Sequence, residues 1–348
     1  MGSKRSSKIK VSLILLGFAA LTIATFAFQG TQQEPAASAP QAGNVQEPVV
    51  VAYQTGVDPS KVAQAEGRYE AATGTQITWR KFDSGADVIA AVASGDVPIG
   101  NIGSSPFAAA ASRNLPIEAF FIVSVLGQSE ALVTRPDIKT PQDLIGKKIA
   151  VPFVSTTHYS LLSALKHWNI DAKRVNIINL RPPEITGAWE RGDIDGAYVW
   201  EPVLSSLKNG GQVLTSSEEV GTWGAPTYDI WIVRKDFAKQ HPEFLRRFAE
   251  VTADAGGQYR ADPKAFAANE ANLKAIAGLT GSKTSDIANL LAGNRYPDLA
   301  GQKALLEGSF ASDIKKTAEF LRDQGKIDSV NDSYAGFVNA DFVQPKGQ

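Results

Sequence analysis

Cysteine is absent from the 348 residues, methionine occurs once and histidine three times. Without cysteine there are no disulfides, no thiol nucleophile, no thiolate metal site and no lipid-modified N-terminal cysteine. Three histidines supply a metal centre poorly, and His158 and His167 fall on opposite faces of a helix, so neither a metal nor another cofactor is expected. Excess charge of either sign is also missing, with 35 basic against 36 acidic residues, which removes the electrostatic basis for nucleic-acid binding. Long apolar runs are missing too, with one exception. Lys4, Arg5, Lys8 and Lys10 precede an uncharged, mostly apolar stretch from Val11 to Phe28. Residues 1–28 therefore read as an export signal, or as an uncleaved signal anchor, because the run is long enough nearly to span a bilayer. Ala37-Ser38-Ala39 fits a small-x-small cleavage pattern, but Pro40 follows it. Residues 29–47, rich in Gln, Ala and Pro, read as a flexible linker. The folded part is expected in the periplasm, tethered to the inner membrane if the anchor is retained.

What remains is rich in apolar residues arranged in an alternating pattern. Strand-like Val49 to Tyr53 leads into helical spacing from Pro59 to Ala72, then a strand at Gln76 to Phe82, a helix opened by Asp83-Ser84-Gly85, and a strand at Pro98 to Ile102. The succession returns as a strand at Lys148 to Val151, a helix from Thr157 to Trp168, a strand at Val175 to Leu180, a helix at Glu184 to Glu190, and a strand at Gly196 to Trp200. Both second helices end in Gly-Asp, at Gly95-Asp96 and Gly192-Asp193. Strands alternating with helices require parallel pairing and right-handed crossovers. The pattern predicts two α/β lobes: 48–134 begins lobe one, 135–227 forms lobe two, and 228–348 returns as a strand and helices that complete lobe one. Two crossings, near Gln128 to Arg135 and Ala225 to Arg234, make a hinge. One long helix is expected over 263–277.

In open α/β sheets, ligands bind at the carboxyl ends of the parallel strands. The loops to examine are therefore those at Gln54 to Gly56, at Asp83 to Gly85, at Asn101 to Pro106, at Val151 to Tyr159, at Arg181 to Pro183, and at Trp200 to Pro202. Ser155, Thr156 and Thr157 stand where a helix begins and can hold an anion there, although a plain N-cap explains them equally well. Gly103-Ser104-Ser105-Pro106 is the lobe-one counterpart, so that Thr156 and Thr157 form one half of an anion clamp and Ser104 and Ser105 the other. Asp229 inside an apolar strand is costly unless paired. Together with Glu201, Trp200, Trp223 and Trp231 it suggests a box for a small cation, with Glu130 as a third candidate acid, against the plainer reading of these tryptophans as core, of Glu201 as a helix-start acid and of Glu130 as a structural hydrogen-bonding group. His158 sits beside hydroxyls, but no Gly-x-Ser-x-Gly elbow presents one, so a hydrogen-bonding histidine at the cleft edge is favoured over a catalytic one. Anion and cation sites in one cleft describe a small zwitterion.

Six blocks carry a family resemblance: 50–55, 79–86, 100–106, 150–159, 192–200 and 223–227. In this order they resemble the nitrate, sulfonate and taurine receptors of bacterial ABC importers, and most of all the taurine branch. The resemblance implies a type II-like periplasmic binding protein, not an enzyme, with a ligand held between two closing lobes. Its partners would be taurine or a related small sulfonate and the ABC permease subunits, and it would act as a monomer. Carried over, sulfonate contacts fall among Ser84, Asn101, Ser104, Ser105, Thr156 and Thr157, and amine contacts on Asp229 with Trp200. Glu201 departs from the small apolar residue that taurine receptors can carry there. The open alternatives are a receptor for an alkanesulfonate or another small oxyanion, and an exported enzyme on this fold using His158.

Overall fold

The computed structural model describes residues 47–343, so the expected export segment and nearly all of the expected linker lie outside the described residues. Within them, no helix is long and apolar enough to cross a membrane. Strand β1 (Val49–Tyr53) is buried at four of its five positions, as a parallel strand covered on both faces must be. Two helices follow, α1 (Ser60–Ala65) and α2 (Arg68–Thr73), where the spacing predicts one. Gly67 between them takes φ 68°, a left-handed value that separates the two. Next come β2 (Ile77–Lys81), α3 (Gly85–Ala93), β3 (Ile99–Gly103), α4 (Ser104–Ser112) and β4 (Ile117–Val125). The second half holds β5 (Glu130–Thr134), β6 (Lys148–Val151), α5 (Thr156–His167), β7 (Asn176–Asn179), α6 (Pro182–Arg191), β8 (Gly196–Trp200), α7 (Val203–Lys208), β9 (Gln212–Ser216) and α8 (Ser217–Thr222). Strand β9 has one buried position in five, which is why no hydrophobic run betrays it.

The two sheets share one plan. Sheet one runs β2-β1-β3-β10-β4, with β10 spanning Tyr228–Arg234, and sheet two runs β7-β6-β8-β5-β9. In each, three parallel strands are followed by an antiparallel one, β10 or β5. That antiparallel strand is the segment the chain lays down immediately after crossing from the other lobe. Residues 130–134 are thus part of sheet two, paired with β8 and β9, whereas the sequence boundary at 134 leaves them in lobe one. An apolar strand pattern does not say which sheet the strand joins. The crossings are the short segments 126–129 and 223–227. They touch each other, for Leu126 N donates to Thr227 O at 2.9 Å.

After β10 come α9 (Lys235–Gln240), α10 (Pro242–Ala261), α11 (Pro263–Ala268), α12 (Glu270–Thr280), α13 (Thr284–Ala292), α14 (Leu299–Ala304) and α15 (Phe310–Asp323). The helix expected over 263–277 is broken at Asn269, whose side chain accepts from Ala271 N at 3.0 Å and so starts a new helix. Phe244, Leu245 and Phe248 of α10 and Phe310, Ile314 and Leu321 of α15 are buried in one core with Val51, Ile99, Ile102 and Ile232 of sheet one. Ile276, Ile287 and Leu291 form a further cluster with Val57 and Val62, which fixes the loop after β1. Sheet two carries a core on each face, one with Val133, Ile185 and Leu204, the other with Ile149, Leu161 and Leu165.

Candidate functional site

A small cavity lies between the carboxyl ends of the parallel strands of the two sheets. Three helix N-termini meet on it. Gly85 of α3, Gly103 and Pro106 at the start of α4, and Ser155 and Thr156 at the start of α5 all line it. They are packed closely: a Cβ on Gly85 would stand 2.6 Å from Pro106 Cγ, and one on Gly103 would stand 2.6 Å from Thr156 Cγ2. Gly103 is therefore the residue that lets lobe one approach lobe two at this point. Helix starts leave backbone N–H groups unpaired and carry partial positive charge, so three of them converging favour an anion.

Three carboxylates line the same cavity: Glu130, Glu201 and Asp229, with Trp200, Gln54, Ser129 and Asn294 beside them. Burial pushes Glu130 up to about 7, against donation from Thr156 Oγ1 at 2.5 Å and Ser217 Oγ at 3.0 Å. Burial pushes Asp229 up to about 8, with Lys61 pulling it down and Asp58 and Glu130 adding to the rise. Burial also raises Glu201, which accepts from Ser205 Oγ at 2.9 Å and Ser205 N at 3.3 Å and so serves the start of α7 as well as the cavity. Glu130 and Asp229 occupy corresponding places in the two sheets. Each stands at the start of the antiparallel strand, opposite the last residue of the third parallel strand: Glu130 opposite Trp200, and Asp229 opposite Gly103.

Of the thirteen residues singled out from the sequence, the cavity brings together Gln54, Glu130, Thr156, Trp200, Glu201 and Asp229. The other seven are elsewhere. Asp83 is exposed at the rim, 3.8 Å from Arg181, and Ser84 caps α3 by accepting from Asp87 N at 3.3 Å. Asn101 is buried in β3, where its side chain donates to Ile230 O at 3.2 Å and its carbonyl accepts from Gln54 Nε2 at 3.2 Å. Ser104 Oγ accepts from Tyr228 N at 3.2 Å, and Ser105 is fully buried. Thr157 Oγ1 pairs with Ser155 Oγ at 2.8 Å. Of the four hydroxyls of the expected anion clamp, those of Ser104 and Thr157 are engaged within the protein, Ser105 Oγ is buried without a hydrogen-bond partner among the described residues, Thr156 Oγ1 meets Glu130 in the cavity, and Ser155 is the cap of α5. By strand order the counterpart of the β3–α4 turn is the β8–α7 turn at Trp200, not the β6–α5 turn.

His158 does not line the cavity. It is buried, stacks on Phe153 with ring centres 4.7 Å apart, and its Nδ1 accepts from Val154 N at 3.3 Å. Burial holds its pKa down to about 4, so the neutral ring braces the β6–α5 turn. Trp223 and Trp231 also leave the cation box expected of them: Trp223 stacks on His167 at 3.9 Å, and Trp231 is buried against Phe248 in the lobe-one core. Among the described residues, no group of three or more His, Asp and Glu side chains could hold a metal.

Asn294 was missed by sequence reasoning. It lies between predicted helices, far from the strand-end loops, and carries no local motif. Its Oδ1 accepts from Gly127 N at 3.0 Å and Ser129 Oγ at 2.6 Å, tying the first crossing to the cavity wall. The lobes also touch directly. Thr55 Oγ1 donates to Glu201 O at 2.8 Å, and Arg181 Nη2 meets Asp87 Oδ2 at 2.5 Å.

A family model for the substrate-binding domain of the ABC-type glycine betaine transport system matches residues 47–271. The taurine-binding periplasmic protein of Escherichia coli K12 is 52% identical over 296 residues, 85% of this chain and 92% of that protein. The alkanesulfonate-binding protein from Xanthomonas axonopodis, solved with MOPS bound, superposes with a TM-score of 0.70 at 19% identity, covering 84% of this chain and 98% of that one. A desulfurization enzyme shares the fold at a TM-score of 0.57 and 14% identity, covering 86% and 98% of the respective chains. The chain belongs to the substrate-binding proteins of ABC-type transport systems.

Proposed function

We propose that this protein is the periplasmic receptor of an ABC importer for taurine, which it binds between its lobes and delivers to the permease without altering it. The observation that carries this reading is the pairing, in one small cavity, of three helix N-termini with Asp229 and Glu130 beside Trp200. The helix starts suit a sulfonate through their backbone N–H groups. Asp229 and Glu130 suit an ammonium, which the Trp200 ring face also attracts. The relative named for taurine supports the same assignment. Transport without chemistry agrees with the placement of His158, whose ring is engaged by the backbone and by Phe153. It acts as a monomer, free or held at the inner membrane by its N-terminal segment.

Binding is expected to favour a closed form already accessible to the free protein, since the ligand would touch both lobes. The test is calorimetry with taurine, ethanesulfonate, sulfate and glycine betaine on the mature protein. Taurine should bind most tightly. Equal binding of ethanesulfonate would remove the ammonium site, and preference for glycine betaine would replace the sulfonate with a carboxylate ligand.

A further inference from the structure

Among the described residues, those other than glycine with a left-handed φ are Asn114, Asn169 and Val154, the last at 66°. Asparagine tolerates that region because its short polar side chain can bond locally, whereas a β-branched side chain is crowded there. Val154 lies in the β6–α5 turn, directly before Ser155 and Thr156, which line the cavity. Strain is thus stored beside the proposed sulfonate site, and it persists only if the surroundings hold it. Two contacts do so. Val154 N donates to His158 Nδ1 at 3.3 Å, and the Val154 side chain packs against the core of lobe one. His158 is itself fixed: its ring stacks on Phe153, and Lys326 Nζ of lobe one lies 4.0 Å from the centre of the Phe153 ring. His158 N also donates to Ser155 Oγ at 3.1 Å, so this residue bonds both to the cap of α5 and to the strained residue before it.

The start of α5 has little room to move. Thr156 Cγ2 stands 2.6 Å from where a Cβ on Gly103 would be, and Thr156 Oγ1 donates to Glu130 Oε1 at 2.5 Å. We propose that His158 is a positioning residue for the anion: by accepting from Val154 N it keeps the turn in its left-handed form, and so holds Thr156 and the backbone N–H groups at the start of α5 against the ligand. This rests on the reading of the α5 start as part of a sulfonate site.

The experiment is a double-mutant cycle, with taurine and ethanesulfonate affinity measured by calorimetry for His158→Ala in the wild-type and in the Val154→Asn backgrounds. In wild type, His158→Ala should weaken both compounds about tenfold, because the anion end is displaced in each. In the Val154→Asn background the same change should cost less than about threefold, since asparagine takes the left-handed φ without a brace. His158→Asn, whose Oδ1 can replace Nδ1 as acceptor, should stay within about twofold of wild type. Should His158→Ala fail to fold, His158→Gln, which keeps a flat polar side chain but moves its acceptor off the δ position, takes its place in the cycle. Removal of His158 that costs the same in both backgrounds, costs nothing, or weakens taurine alone would overturn the proposal. Wild type that binds neither compound would overturn the sulfonate reading, and this role with it.

Discussion

Asp229 sets affinity against stability in a way that one substitution separates. Its carboxyl titrates near 8 when folded and near 4 when unfolded, so between these values the native state holds the extra proton. Ligand-free stability from this group therefore falls as pH rises through that window and stays low above it. Asp229→Asn should raise the melting temperature of the ligand-free protein at pH 9 and leave it unchanged at pH 4, measured by calorimetry. The same variant should weaken taurine about 30-fold or more while ethanesulfonate changes little, because a buried partner for the ammonium is gone. Asp229 was legible in the sequence because an acid interrupting an apolar strand is costly unless it has a task. The burial of Lys61 was not, because Pro-Ser-Lys-Val at a helix start looks like any surface turn. Ser104 and Thr157 show what a local pattern leaves open: a hydroxyl near a helix start can serve a neighbouring backbone or side chain as readily as a ligand, and Ser104 Oγ accepts from Tyr228 N while Thr157 Oγ1 pairs with Ser155 Oγ.

At the scale of elements, the repeat told which loops to examine, since ligand sites follow the ends of parallel strands. It did not tell which atoms of those loops reach the cavity, and β3–α4 contributes Gly103 and Pro106 in place of its serines. Nor did the repeat contain the crossing strands, so the matched positions of Glu130 and Asp229 became visible only in the pairing of β5 and β10. The contact of Gly103 with Thr156 makes a direct prediction. Gly103→Val places its Cβ into the Thr156 methyl and should hold the lobes apart, so taurine binding is lost while the melting temperature of the ligand-free protein changes little. Retained affinity in that variant would show that closure does not bring these turns together. Arg181, at the start of α6, meets Asp87 of α3 across the rim. The pair is substantially exposed, so Arg181→Ala should weaken taurine by no more than about fivefold. The loss should shrink further in high salt, read from titrations at two ionic strengths.

For the whole molecule, the alternation of strands and helices was sufficient to expect two α/β lobes, because parallel pairing leaves few topologies open. Membership of β5 in sheet two needed long-range pairing that no local pattern records. The shared strand order of the two sheets gives the receptor its working geometry: each crossing delivers an acid to the cleft as it enters the next sheet. Closure around a ligand should be visible as a smaller radius of gyration in small-angle scattering when taurine is added, and as no change with a ligand that contacts one lobe only. The central claim is the polarity of the cavity, and a crystal structure of the taurine complex tests it most directly. The account predicts the sulfonate oxygens within hydrogen-bonding distance of backbone N–H groups at the starts of α3, α4 and α5, and the nitrogen within about 3 Å of Asp229 over the Trp200 face. A sulfonate held instead by Gln54 and Asn294, with the nitrogen away from Asp229, would contradict it.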